Sequence, residues 1–526
     1  MNIIKHLIIL TILAGSLFFL PPPARASNVT VTSVSLLAQN SGTRPIQFTV
    51  SWDNSWFVSG APGPDANWDA VWVFAKFRKN SGTGWSNWAH ATLDKTVGNH
   101  TAPAGSQITL GCSPGVDCSN GANTVKGIFF YRSATGTPGT VTFTNSAINW
   151  LYSTDGVADG DWVDVKVFAI EMVYVPSGSF WIGDPSKNGT DPFYSYGCTS
   201  PNCAYQITSE NAITVGTTNG NLYYTNSVNG GDRGTPIPAA FPKGYNAFYI
   251  MKTEVSQKQY AEFLNTLNPG QQSARWVTGY FNSNRYFIKK SVDARFGVDG
   301  NNNAGADGSA TYNSMNESDD GGWVACNYLS WMDNAAFAEW AALRPMTEFE
   351  FEKAARGDQP AVAGEYAWGN TTLTPPSSGT PSLNRQAGET TNGGNCNYNS
   401  VISGPIRVGS YAGSGTSRTA AGAGYYGALD LSGNLWEFLV TVGNLTGRGF
   451  TGVHGSGALS GQGYAVQSLW PGWGGAQNDG ATGLGLRGGT WSHTSTNEST
   501  ADRFVGVASG TNRVSDVGFR ACRTSP

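Results

Sequence analysis

Apolar residues recur in short strand-like runs through the first third of the chain. Val29-Thr-Val-Thr-Ser-Val34, Ile46-Gln-Phe-Thr-Val-Ser-Trp52, Val71-Trp-Val-Phe-Ala-Lys-Phe77 and Val165-Lys-Val-Phe-Ala-Ile170 stand out, several with period-two alternation. Clusters of Gly, Pro, Asn and Ser separate them, which predicts an antiparallel β-sandwich over residues 27–168. Beyond it the period changes. Phe248–Val255 reads as a strand, after which Ser256 and Gln259 have the spacing of a capping box. Tyr260, Phe263, Leu264 and Leu267 then fall on one helical face. Ser330 is placed to cap a second helix through Trp331, Phe337 and Trp340, and Thr347 with Glu350 starts a third. The segments near 185–240 and 269–322 are rich in Gly, Asn and other polar residues and read as insertions with little regular structure. The class is mainly β, with an α+β C-terminal domain over 169–526.

Met1–Ala26 has the pattern of a cleaved secretory signal. Lys5 supplies the positive end, Leu7–Leu20 the apolar run and Ala24-Arg-Ala26 the small-x-small site. No later stretch is apolar enough to span a bilayer, so the expectation is a secreted or cell-surface protein with no transmembrane segment after cleavage. Charged residues are 13% of the chain, aromatics 12%, and the net charge is -4 without a basic run, which excludes nucleic acid as a natural partner. Export favours disulfides, and Cys112 with Cys118 and Cys198 with Cys203 bracket short turn-rich loops. Cys326, Cys396 and Cys522 remain, an odd number, so at least one thiol is free. Asp53, Asp65 and Asp69, and the Asp299–Asp307 run, have the composition of calcium loops but the spacing of none. Solvated loop aspartates are the simpler reading.

The candidate chemistry lies near the C-terminus. Leu486-Arg-Gly-Gly-Thr-Trp491 and Val517-Gly-Phe-Arg-Ala-Cys-Arg523 flank a polar segment. Gly488 and Gly489 permit backbone that a Cβ resists, and Trp491 and Phe519 are apolar anchors. Two anchored strands carrying a varied loop can form a ligand platform, with Trp491, His493, Asn497, Glu498 and Arg503 as its candidate residues. The alternative is a strand, a surface loop and a strand with no ligand.

These two motifs resemble the C-terminal signature of the formylglycine-generating enzyme / sulfatase-modifying factor family, which has a C-type-lectin-like fold. Glu171–Asp184 resembles that domain's opening strand pair, and Leu343-Arg-Pro-Met-Thr-Glu-Phe-Glu-Phe-Glu352 its Arg-Leu-Pro-Thr-Glu-x-Glu-Trp-Glu motif. Glu348, Glu350 and Glu352 do not share one helical face, so capping and ion pairing explain them better than acid–base work. Ala428-Leu-Asp-Leu-Ser-Gly-Asn-Leu-Trp-Glu437 is the most specific match. The resemblance implies a structural calcium ion held by the carboxylates of Asp430 and Glu437 and the carbonyls of Gly433 and Leu435, a donor set of hard oxygens. The family's oxidase uses two cysteines five residues apart; aligned on the glycine pair, those positions hold His493 and Glu498. Soft copper chemistry wants sulfur, so no copper is expected. His454 could be a third ligand to another metal, though nothing in its spacing supports this. The expectation is therefore an exported, non-catalytic binding or surface-assembly protein, resembling the family's non-catalytic members, among them the variable proteins of diversity-generating retroelements. It would meet an extracellular glycan or protein, or assemble with copies of itself. The alternative is a metal-dependent oxidase of the family with altered ligands.

Overall fold

The structure, a computed structural model, describes residues 28–59, 66–80, 82, 84–112, 124–302, 315–413, 416–508 and 510–526. The expected signal, Asp65 and Cys118 lie outside the described residues. The alternating runs form strands as their period requires: β1 (Thr30–Leu36), β2 (Arg44–Ser55), β3 (Phe57–Val58), β4 (Asn67–Asn80), β5 (Ala89–His90), β6 (Ser106–Leu110), β7 (Ile128–Arg132), β8 (Gly139–Trp150) and β9 (Trp162–Val175). Strands β1, β2 and β8 make one layer of a sandwich. β2 turns Ile46, Phe48, Val50 and Trp52 inward at alternate positions, all at most 1% exposed.

The second layer does not stop at the expected boundary of 168/169, which falls inside β9. β9 pairs antiparallel with β4 from Trp162↔Asn80 to Val173↔Asp69. It then pairs with β14 (Phe248–Met251) through Met172–Val175. The short strands β10 (Phe180–Ile182) and β12 (Tyr205–Ile207) form one hairpin-like pair. β11 (Tyr194–Ser195) and β13 (Leu222–Tyr223) form another, and β15 (Ile288–Lys290) with β16 (Phe296–Val298) a third. Later come β17 (Arg344–Pro345), β18 (Trp436–Val440), β19 (Leu484–Arg487), β20 (Val517–Gly518) and β21 (Ala521–Thr524). The large sheet runs β17-β21-β14-β9-β4-β7-β6, so the last strand of the chain and the sandwich share one hydrogen-bonded layer. Side chains lock the join. Trp72 Nε1 donates to the Ala341 carbonyl at 2.8 Å, and Lys76 Nζ donates to those of Trp340 (2.7 Å) and Gly457 (2.8 Å).

The helices are α1 (Gln257–Leu264), α2 (Pro269–Arg275), α3 (Trp331–Trp340), α4 (Glu348–Arg356) and α5 (Leu445–Arg448). The capping boxes at Ser256/Gln259 and Thr347/Glu350 are present, and Ser330 caps α3 reciprocally with Asp333. The segment 185–240, expected to be an insertion with little regular structure, is short in strands yet not peripheral: Phe193, Leu222, Tyr224 and Ile237 are fully buried in the main core. The calcium reading of the sandwich aspartates does not hold for Asp69. It is buried, accepting from Trp52 Nε1 (2.9 Å), Ser55 Oγ (2.7 Å) and the Trp56 amide (3.1 Å), with Lys252 Nζ at 3.9 Å. Asp53 accepts from Asn28 and Thr140 side chains. The Cys198–Cys203 disulfide is formed; Cys326, Cys396 and Cys522 are buried free cysteines.

Candidate functional site: the surface around His493

A small sheet fixes the candidate segment at both ends. β18 pairs antiparallel with β19 and parallel with β20, so the chain leaves at Arg487 and returns at Val517 on either side of one strand. Gly488 and Gly489 follow β19 with φ of +99° and +75°. A Cβ on Gly489 would stand 2.0 Å from Glu498 Oε2, so glycine there makes room for a buried carboxyl. Trp491 is 7% exposed and packs with Ala325, Val408 and Leu435; its Nε1 donates to the Ser515 carbonyl at 3.2 Å. Phe519 is buried too, as anchors should be.

Between the anchors only part of the expected face is outside. Thr494, Ser495 and Thr496 are exposed; Ser492, His493 and Asn497 are half-buried. Glu498 and Arg503, expected on the ligand face, are fully buried and cannot meet a ligand. Glu498 Oε1 accepts the Thr490 amide at 3.2 Å, and its backbone carbonyl accepts from Ser432 Oγ at 2.7 Å. Burial pushes its carboxyl well above the usual carboxylate range, helped by the nearby Asp502 charge. Arg503 Nε donates to Glu348 Oε2 at 2.6 Å, and its guanidinium lies over the rings of Phe193 (4.2 Å) and Tyr224 (4.7 Å). Sequence reasoning failed here because a polar residue in a polar loop gives no sign of the buried partner that claims it.

His493 sits edge-on to Trp436, ring centroids 5.4 Å apart. Its Nδ1 lies 3.0 Å from Thr490 Oγ1 and 3.9 Å from Asp516 Oδ2, while Ser492 Oγ donates to the same Asp516 oxygen at 3.3 Å. Its carbonyl accepts the Asn399 amide at 2.8 Å, which holds the loop against the 397–400 segment. Two aromatic residues were missed. Tyr280 and Tyr328 stack with centroids 4.2 Å apart, and Tyr328 is tied to the Val514 carbonyl by its amide. The signal was there: Tyr280 belongs to an aromatic run inside the polar segment read as insertion, and it is 38% exposed.

The helix motif resolves as expected. Arg344 Nη1 donates to Glu350 Oε2 at 2.9 Å, Arg356 Nη1 to Glu352 Oε2 at 3.1 Å, and Arg487 also binds Glu352. All these groups are buried, so the glutamates are structural partners of arginines. His454 is half-buried, with its Nε2 accepting the Thr524 amide at 3.1 Å. Among the described residues no group of three His, Cys, Asp or Glu donors includes His493, His454 or Glu498. The free thiols are all pushed up by burial, far from the thiolate a soft metal needs.

At the 430–437 turn, Asp430 Oδ2 accepts the Gly409 amide at 2.6 Å. Both Glu437 oxygens accept from Arg520 Nε at 2.7 Å. Glu254, which sequence reasoning did not single out, accepts from Asn434 Nδ2 (2.5 Å) and the Leu435 amide (3.0 Å). Burial raises all three carboxyls, and the charges of Asp430 and Glu437 raise Glu254 further. Arg520 holds Glu437 and Arg407 acts on Asp430, and among the described residues Glu254, Asp430 and Glu437 do not converge as a group of three ligating oxygens.

The family profile described as a sulfatase-modifying factor enzyme 1-like domain matches residues 199–525. No curated protein matches the chain. Among solved structures it is similar to Treponema denticola variable protein 1, with a TM-score of 0.28 and 15% identity over 68% of this chain and 96% of that one. The motifs, the buried arginine–glutamate pairs around α4 and the profile spanning most of the chain agree: the protein belongs to the sulfatase-modifying factor enzyme 1-like family.

Proposed function

We propose that the protein is an exported, non-catalytic binding or surface-assembly protein, of the adhesin or filament-subunit kind. The surface around His493 meets an extracellular glycan or protein. The observation that carries this reading is the fate of the two positions where the oxidase has cysteines. One is His493, held by Thr490 beside Asp516; the other is Glu498, sealed beneath the loop, where burial holds its carboxyl well above the usual carboxylate range. Neither can act as a thiolate, and the two do not face one open site. What remains outside is a set of hydroxyl, amide and imidazole groups beside aromatic rings, which suits recognition.

Two measurements test this. Gently purified protein should carry no stoichiometric copper or iron; near-stoichiometric redox metal that is lost in His493→Ala overturns the reading in favour of a metal-dependent oxidase. A glycan array and a cell-surface pull-down then compare wild type with a His493→Ala, Ser495→Ala, Asn497→Ala variant. Surface substitutions cost little stability, so the variant should melt near wild type and lose the partner. Equal binding by both moves the ligand face elsewhere.

A further inference from the structure

A cleft of about 460 Å³ opens between β1, β9 and α1, lined by none of the candidate residues of the His493 surface. Its walls have an unusual composition for a strand fold. Five consecutive β9 residues, Val165 to Ala169, line it, and so do consecutive β1 residues. Successive side chains of a strand point to opposite faces, so consecutive lining means that a strand presents its edge. The pairing agrees. β4 occupies one side of β9 along Trp162–Val173, but β14 covers the other side only from Met172 to Val175. Among the described residues, Val165–Ala169 therefore have no strand partner on the cleft side. Unpaired amides and carbonyls in a row are a template for another strand.

The two edges are not equivalent. β1 is broken by a register shift between Thr32 and Ser35, with Ser33 at φ +54°. Such a bulge spoils an edge for pairing. β9 has no shift along its whole ladder with β4, so it is the regular edge. The walls supply charge, Lys258 from α1 and Lys166 from β9 itself. Lys258 lies over Trp323 at 5.4 Å, and Lys166 lies over Trp88 at 4.9 Å. Arg295 also lines the cleft but has a partner of its own, which leaves the two lysines. Against them stands Glu262, because Glu171 is engaged by Lys252 at 2.7 Å. The cleft is thus net positive in a protein whose net charge is negative.

We infer that this cleft accepts an extended acidic peptide segment of a partner protein, which adds as a strand to the free edge of β9 while its carboxylates meet Lys166 and Lys258. Main-chain pairing supplies attachment, and the cations select sequence. This goes beyond the His493 reading and stands or falls separately from it, since the two surfaces share no residue.

The probe is a short fluorescein-labelled peptide of alternating glutamate and threonine, followed by anisotropy with the full chain. Binding should weaken as salt rises, and fall at least about tenfold in Lys166→Glu, Lys258→Glu protein that melts like wild type. The same peptide N-methylated on alternate amides keeps its charge but cannot pair along that edge, so it should not bind. A lysine–threonine peptide should bind only the charge-reversed variant. The inference is overturned if wild type ignores the acidic peptide, or if methylated and unmethylated peptides bind alike. It also fails if a uronate oligosaccharide competes at lower concentration than the peptide, which would make the cleft a saccharide site. Should the double variant misfold, the methylated-peptide comparison on wild type still decides.

Discussion

Glu498 shows how a single side chain can be expected in one place and found in another. It stands where the family's oxidase has a cysteine, yet it lies below the surface with one carboxyl oxygen on the Thr490 amide. No described group reaches its other oxygen. Its folded pKa lies well above that of an exposed glutamate. Below the unfolded pKa, near 4.3, both states are protonated and the group contributes nothing to pH dependence. Above it the unfolded chain releases a proton that the native state keeps, so stability falls as pH rises toward the folded pKa. Glu498→Gln removes that proton. The variant should lose less melting temperature than wild type between pH 5 and pH 8, measured by thermal denaturation. An identical pH slope would mean that the carboxyl is ionised in the native state. Arg503 makes the complementary point. Removing it would take the nearer of two arginines from buried Glu348, leaving Arg487 at 3.6 Å, at a cost of up to about 3–5 kcal/mol, so no binding test should use it.

At the scale of elements, much was legible. The caps at Ser256 and Thr347 announced α1 and α4, because reciprocal side-chain bonds at a helix start need specific residues at fixed spacing. Strands β2 and β4 followed from their apolar periods. The reach of β9 was not legible, since a strand buried along most of its length looks the same whether it ends a domain or crosses into the next. The packed segment 185–240 was missed for a related reason: its aromatic residues are spaced by loop geometry and carry no period. The 430–437 turn was found by motif, but Arg520 and Glu254 come from distant strands and could not be paired with it in advance. If calcium braces that turn, chelation should lower the melting temperature by several degrees, and Asp430→Ala should abolish the difference, because a ligand bound only by the native state stabilises it. A melting curve indifferent to chelator in wild type would mean that Arg520 alone balances the turn.

For the whole molecule, the decisive fact is that the sandwich and the family domain share a sheet. Arg523, three residues before the last, lies over Trp72 at 4.5 Å and donates to the Gly111 carbonyl at 2.6 Å. Residues 27–168 expressed alone would lack the β9 partners of Asp69–Val73 in β4 and the carbonyl partners of Lys76. That fragment should give no cooperative melt, while the full chain should melt in one transition that coincides by far- and near-ultraviolet circular dichroism. Two separated transitions would show that the shared layer does not couple the parts.

The β4–β9 ladder has a mechanical meaning as well. Its hydrogen bonds lie across the strand axes from Asp69 to Asn80, and the strands run in opposite directions. A load pulling the sandwich away from the rest of the chain along those axes would strain all of the bonds together rather than open them in turn. For a protein anchored at one part and gripping a partner with the other, the join is the element that resists shear, and the rate of its rupture would set how long an attachment lasts under flow.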